Sequence, residues 1–214
     1  MKRFHLLLLV ILLLTACGSI EPVPEDRFYR LAESPVQPPL AQPLLSGVLA
    51  VGTVESPGIY SERAILYSEQ GHPIELLRYH YHAWIDSPPQ LIQDHITLFL
   101  RGAAVAPTVV TDNGLAKWEY RLTGRLRRFE REMRGTGSSV AVAIEYRLLR
   151  RGGSQPLWIK DYAAQVPVSG ERVNDAVLAF SAALNQIDLE LLADLKEQVS
   201  QPDFDSGESA PTVE

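Results

Sequence analysis

The sequence predicts an α+β fold: an antiparallel-rich sheet with a C-terminal three-strand meander, covered mainly on one face by two helices. Two observations carry this. Apolar residues recur at helical spacing in two segments, one opening near Ser87 and one near Gly170. Between them, three consecutive segments alternate apolar and polar residues with a period of two and are separated by turn chemistry, the mark of neighbouring antiparallel strands.

The chain opens with Lys2-Arg3, the apolar run Leu6 to Leu14, and Leu14-Thr15-Ala16-Cys17. A basic start, a short apolar stretch and a small-residue cleavage site make a secretory signal, and the stretch is too short to span a bilayer. The single cysteine directly behind the small residues resembles a bacterial lipoprotein signal. That resemblance implies that residues 1–16 are removed and that Cys17 becomes the lipidated first residue, an anchor and not a catalyst. Gly18-Ser19 follows with no aspartate, which by the usual sorting rule favours the periplasmic face of the outer membrane of a Gram-negative bacterium. Multiple acyl chains on one residue hold a protein durably at a membrane face. With no second cysteine there is no internal disulfide, so stability rests on a core.

Loss of Lys2 and Arg3 with the leader takes the formal charge from −6 to −8. A mildly acidic domain of this kind gives no electrostatic footprint for nucleic acid and no general attraction to anionic lipid head groups, while leaving room for local basic patches. Residues 17–25 are polar and proline-containing, a tether. Residues 26–199 then form one α+β domain, and residues 200–214 lose periodicity, gain acidic and small residues, and are expected to be disordered.

Asp26 to Leu31 is a short strand candidate. Pro35, Pro38, Pro39 and Pro43 deny backbone donors and predict an extended surface connection. Val48 to Val54 is apolar on both faces, as expected for a central strand, and Ser56-Pro57-Gly58 breaks it. Ala64 to Ser68 and Ile74 to Trp84 read as a hairpin around residues 69–73. Ser87 as N-cap, Pro88 in the first turn and Gln90 three residues after the cap predict a helix to about Arg101. Its buried stripe is Leu91, Ile92, His95, Ile96, Phe99 and Leu100, with Gly102 behind the last turn.

In the meander, Trp118, Tyr120, Leu122, Gly124 and Leu126 share one face, and Glu119, Arg121, Thr123, Arg125 and Arg127 share the other. Val140 to Leu148 and Trp158 to Val166 repeat the pattern. From Gly170 to Val199, Val173, Val177, Phe180, Leu184, Ile187, Leu191 and Leu195 trace a stripe for a long helix lying on the sheet.

Reaction chemistry is hard to find. Gly135-Thr136-Gly137 leads into a strand with no Lys-Ser/Thr pair behind it, and no Gly-x-Ser-x-Gly elbow is present. His80 and His82 alternate on one strand face and could share a metal with His95, but an acidic ligand is not obvious. No metal, no cofactor beyond the covalent lipid on Cys17, and no enzymatic activity are expected. Arg125, Arg127, Arg128, Arg131 and Arg134, interleaved with Glu130 and Glu132, form either a self-paired hairpin surface or a docking patch for an acidic partner. Pro57-Gly58 would project Tyr60 and Arg63 from a loop as contact residues, the alternative being Tyr60 packed on the sheet edge. Trp84, at a strand-to-helix corner, reads as core.

Three segments carry a family resemblance: Phe28-Tyr29-Arg30-Leu31; Val51 to Arg63, a strand, a proline turn, a tyrosine and an arginine; and Tyr81-His82-Ala83-Trp84 leading through Asp86, Ser87 and Pro88 into Leu91-Ile92. In this order they resemble the ABC-type transport auxiliary lipoprotein component, the family of paraquat-inducible protein C, over about residues 26–198. Ser56 and Ile85 depart from its usual pattern. The resemblance implies a non-enzymatic periplasmic subunit on the outer membrane, working with a mammalian-cell-entry type protein and an inner-membrane ABC transporter to move lipids or other hydrophobic molecules and maintain the envelope. Tyr60, Arg63, Arg125 and Arg127 are then the candidate partner contacts. A homo-oligomeric ring would match a multimeric partner. A periplasmic lipid carrier and a β-barrel assembly lipoprotein are the alternatives.

Overall fold

The computed structural model describes residues 24–201 and 204, other than 36 and 116. The leader, Cys17, most of the tether and nearly all of the acidic tail lie outside the described residues. In chain order the elements are β1 (Arg27–Tyr29), β2 (Val48–Glu55), a 3₁₀ turn (Gly58–Ser61), β3 (Ala64–Glu69), β4 (His72–Trp84), α1 (Pro88–Gly102), β5 (Thr108–Thr111), β6 (Tyr120–Arg134), β7 (Gly137–Arg150), β8 (Trp158–Pro167) and α2 (Val173–Val199).

Among the described residues all strands join one eight-stranded sheet organised by β6. One edge of β6 pairs antiparallel with β7 from Tyr120↔Arg150 to Arg134↔Gly137, and β7 pairs antiparallel with β8, which is the predicted meander. The other edge takes two partners in succession, both parallel. β2 pairs with its N-terminal half, Leu49↔Tyr120 to Glu55↔Arg125, and β3 with its far end at Tyr67↔Arg131 and Ser68↔Glu132. β4 is antiparallel to β3, β1 is parallel to β4, and β5 is parallel to β2. The long ladders are antiparallel and the parallel ones are short.

A β-bulge between Leu126 and Arg128 changes which residues of β6 face the core. Before it, Tyr120, Leu122 and Leu126 point inward; after it Phe129 and Arg131 do, while Glu130 and Glu132 take the opposite face. One extra residue inverts a two-residue period, so simple alternation fails past Leu126.

Both helices cover the same face of the sheet, α1 over β2 and β5 and α2 over β7 and β8. Trp84, Phe129 and Phe180 meet at the centre, with Phe129 and Phe180 ring centroids 4.5 Å apart and Trp84 edge-on to Phe180 at 5.4 Å. α2 is long and apolar enough to cross a membrane, but 61% of its most apolar window is buried inside the domain, as befits a core helix.

Two helix ends differ from their predicted chemistry. Ser87 is the N-cap of α1 with Pro88 in the first turn, yet its side chain makes no cap bond and Gln90 donates instead to Asp94, 3.1 Å away. α1 runs through Gly102, and Ala104 takes the left-handed turn behind it at φ 52°. At α2 the N-cap is Arg172, whose backbone N–H donates to Asp175 Oδ2 at 3.2 Å. The proline-rich segment docks on the end of α1: Leu40 N–H donates to Ala103 O, and Leu44 and Leu45 N–H both donate to Val105 O.

Candidate functional site

Tyr60 does not project to solvent. The 3₁₀ turn sits where the edge of β6 passes from β2 to β3, and Tyr60, 7% exposed, hydrogen-bonds through its hydroxyl to Glu130 Oε2. Burial, reinforced by Glu130, pushes its phenol well above the usual tyrosine value. The turn needs a filler for this interval, and a large ring with a polar tip satisfies a carboxylate that is itself 3% exposed. Arg63 is exposed; its Nε donates to Trp84 O at 2.8 Å and its guanidinium lies 5.3 Å from the Phe28 ring centroid.

Arg125 and Arg127 lie together on the helix-free face, both exposed. Arg127 pairs with Glu145, which also takes Arg147, and reaches Asp161 at 3.5 Å. Arg125 has no ion-pair partner among the described residues. It shares a surface cavity of about 160 Å³ with Arg121, Arg147, Thr53, Thr123 and Glu55. Arg121 is held by Asp112 at 2.7 Å. Farther along β6, Arg128 bonds Glu130 and Glu132, each at 2.6 Å, and Arg134 joins Glu132. The helix-free face is therefore a lattice of paired charges with Arg125 left over, and Tyr60 enters it through Glu130. Arg63 stands apart, at the β1–β4 edge.

Arg131 leaves the predicted patch altogether. It is 2% exposed and faces the core side, donating to Ser138 Oγ, Tyr79 Oη, Glu171 O and Gly170 O at 2.9–3.3 Å. A buried guanidinium with four neutral acceptors ties β6 to the loop before α2.

His80 and His82 lie on β4, where His82 Nδ1 is 2.8 Å from Tyr29 Oη and burial lowers its pKa. His95 lies on α1, and no three metal-ligating side chains converge among the described residues. His95 is instead part of a polar inclusion in the core that sequence reasoning did not assemble. Its Nε2 is 3.1 Å from Asp188 Oδ2, on a residue 0% exposed within α2, and 3.1 Å from Ser34 Oγ. Both partners address the same ring nitrogen, so this is not the relay of a nucleophilic triad, which needs the acid and the serine on opposite nitrogens. The signal for it was the aspartate inside the stripe Leu184, Ile187, Leu191. Burial raises the Asp188 carboxyl against the opposing pull of His95. Beside this inclusion, α1 and the segment after β1 border a half-open cavity of about 370 Å³.

The matching solved structures confirm the architecture. Protein XCC0632 of Xanthomonas campestris, from the family DUF330, is 21% identical, with a TM-score of 0.70 over 80% of this chain and 96% of its own. An uncharacterized protein is 13% identical with a TM-score of 0.64, over 80% and 99%. CT253 of Chlamydia trachomatis is 10% identical with a TM-score of 0.51, over 73% and 99%. At these identities the likeness is one of fold. No curated protein matches the chain. The family model of the ABC-type transport auxiliary lipoprotein component matches residues 29–191, from the end of β1 to the last turns of α2, and the chain belongs to that family.

Proposed function

We propose that this protein is a non-enzymatic auxiliary subunit of an ABC-type transport system, anchored by acyl chains on Cys17 to the periplasmic face of the outer membrane. Its helix-free face docks a periplasm-spanning mammalian-cell-entry type protein, so that lipid or another hydrophobic cargo passes between membranes under continuous cover. Such cover is needed because each exposed methylene costs about 0.8 kcal/mol. Family membership over residues 29–191 carries the reading. The uncovered sheet face supports it: Arg125 is exposed and unpaired among the described residues, beside Arg127, and offers an acidic partner a charge-assisted bond without breaking an internal pair.

The test is capture by the full-length lipidated protein from solubilised envelope, with identification of what is retained. Recovery of a mammalian-cell-entry type protein is expected. Arg125→Glu with Arg127→Glu lowers that recovery about tenfold or more, since like charges across an interface repel. Retention of an outer-membrane β-barrel alone would replace the docking reading with an assembly role.

A further inference from the structure

The cavity between α1 and the segment after β1 has the size of a small-molecule site, about 370 Å³. Leu31, Leu91, Leu98 and Phe99 make its walls apolar. The wall contributed by residues 31–34 is pinned to both helices: Ala32 N–H donates to Ser181 Oγ of α2 at 2.9 Å, and Ser34 Oγ meets His95 of α1. This pinning makes a preformed recess.

Among the described residues His95 is the one lining side chain that is both polar and deeply buried, 7% exposed. Ser34 Oγ and Asp188 Oδ2 both lie at its Nε2, so Nδ1 is the ring nitrogen left over, and it has no hydrogen-bond partner among the described residues. A ring nitrogen left open beside an apolar wall suits a ligand whose head group can hydrogen-bond to it. Glu33 and Asp94 also line the cavity, with Arg30 offsetting one of them, so an anionic phosphate head is disfavoured and a neutral donor head is favoured. The volume is that of one chain and not two.

We infer that this cavity binds a single-chain fatty acid, with its hydrocarbon on Leu31, Leu91, Leu98 and Phe99 and its protonated carboxyl group donating to His95 Nδ1. This deepens the function proposed above and rests on its cargo being hydrophobic: the domain holds a single acyl chain itself.

The experiment titrates full-length protein carrying Cys17→Ser, which has no acyl chains of its own, with a dansyl-labelled fatty acid, and then displaces the probe with oleic acid or methyl oleate. Saturable binding is expected, with oleic acid displacing several-fold better than its ester, which has no proton to give. Leu98 is 64% exposed, so Leu98→Glu folds normally; it weakens binding about tenfold or more. No saturable binding, equal displacement by acid and ester, or unchanged affinity in Leu98→Glu would overturn the site. Uptake by the Cys17→Ser protein but not by the lipidated one would show the protein's own anchor in the cavity and overturn a free ligand. Capture of the partner reads a different surface: lost probe binding with capture intact removes only the fatty-acid site, and lost capture with probe binding intact removes only the docking reading.

Discussion

At the scale of single residues, the open sheet face is held by carboxylates shared between arginines, and Glu145 is the clearest case. It is 6% exposed and lies between Arg127 and Arg147. The hydrogen bond from Arg147, then that from Arg127, holds its carboxyl below the ordinary value of 4.5 despite burial. A group depressed in the folded state stabilises fully above its unfolded value and loses that contribution as pH falls through the folded one. Glu145→Gln is therefore less stable than wild type near neutrality, and the gap narrows below pH 4.5. Urea midpoints between pH 7 and 3 measure it, and a constant gap would show that the pair does not titrate with folding. Much at this scale was legible in the sequence: Trp84 as core, His95 in the buried stripe of α1, the self-paired Arg128–Glu132 surface. Tyr60 was legible only as one of two readings, the one packed at the sheet edge, and Arg131 was not, because the gap Tyr60 fills and the carbonyls that receive Arg131 come from segments brought together only by folding.

Among the elements, the periodic ones were readable and the short or interrupted ones were not. α2, β7 and β8 keep one period throughout, and their predicted and observed extents agree to within a few residues. β5 is four residues, too short to show a period, and gains its place only by pairing with β2. β6 was readable to Leu126, where the bulge changes the parity. Gly124, just before that bulge, looked like an ordinary core-facing position, but the packing is specific. A Cβ there would lie 3.2 Å from both Val54 Cγ2 and the Tyr146 ring. Gly124→Val consequently costs about 1–3 kcal/mol and lowers the melting temperature by several degrees. Scanning calorimetry decides this. An unchanged melting temperature would mean that β2 and β7 separate freely around β6, contrary to the closeness of that contact.

For the molecule as a whole, the layer arrangement was legible and the strand order was not. Hydrophobic faces count layers, but the parallel pairing of β2 and β3 along one edge of β6 joins residues about 65 to 70 positions apart, which no local pattern encodes. The whole fold also removes one candidate for holding the protein at a membrane. Among the described residues α2 alone is long and apolar enough to cross a membrane; the other candidate is the acyl group proposed for Cys17. α2 cannot serve both layers. Phe180, Ala183, Leu184, Ile187 and Leu191 are each 0% exposed, so inserting it into lipid would strip β7 and β8 of their cover. Cys17→Ala is therefore expected to leave the fold intact while releasing the protein from the membrane fraction. Far-UV circular dichroism checks the first statement, and fractionation of cells, with a high-salt wash to remove peripheral material, checks the second. If the variant keeps its fold and still sediments with outer membranes after that wash, the acyl anchor is not what holds it there, and a protein contact on the helix-free face becomes the explanation to pursue.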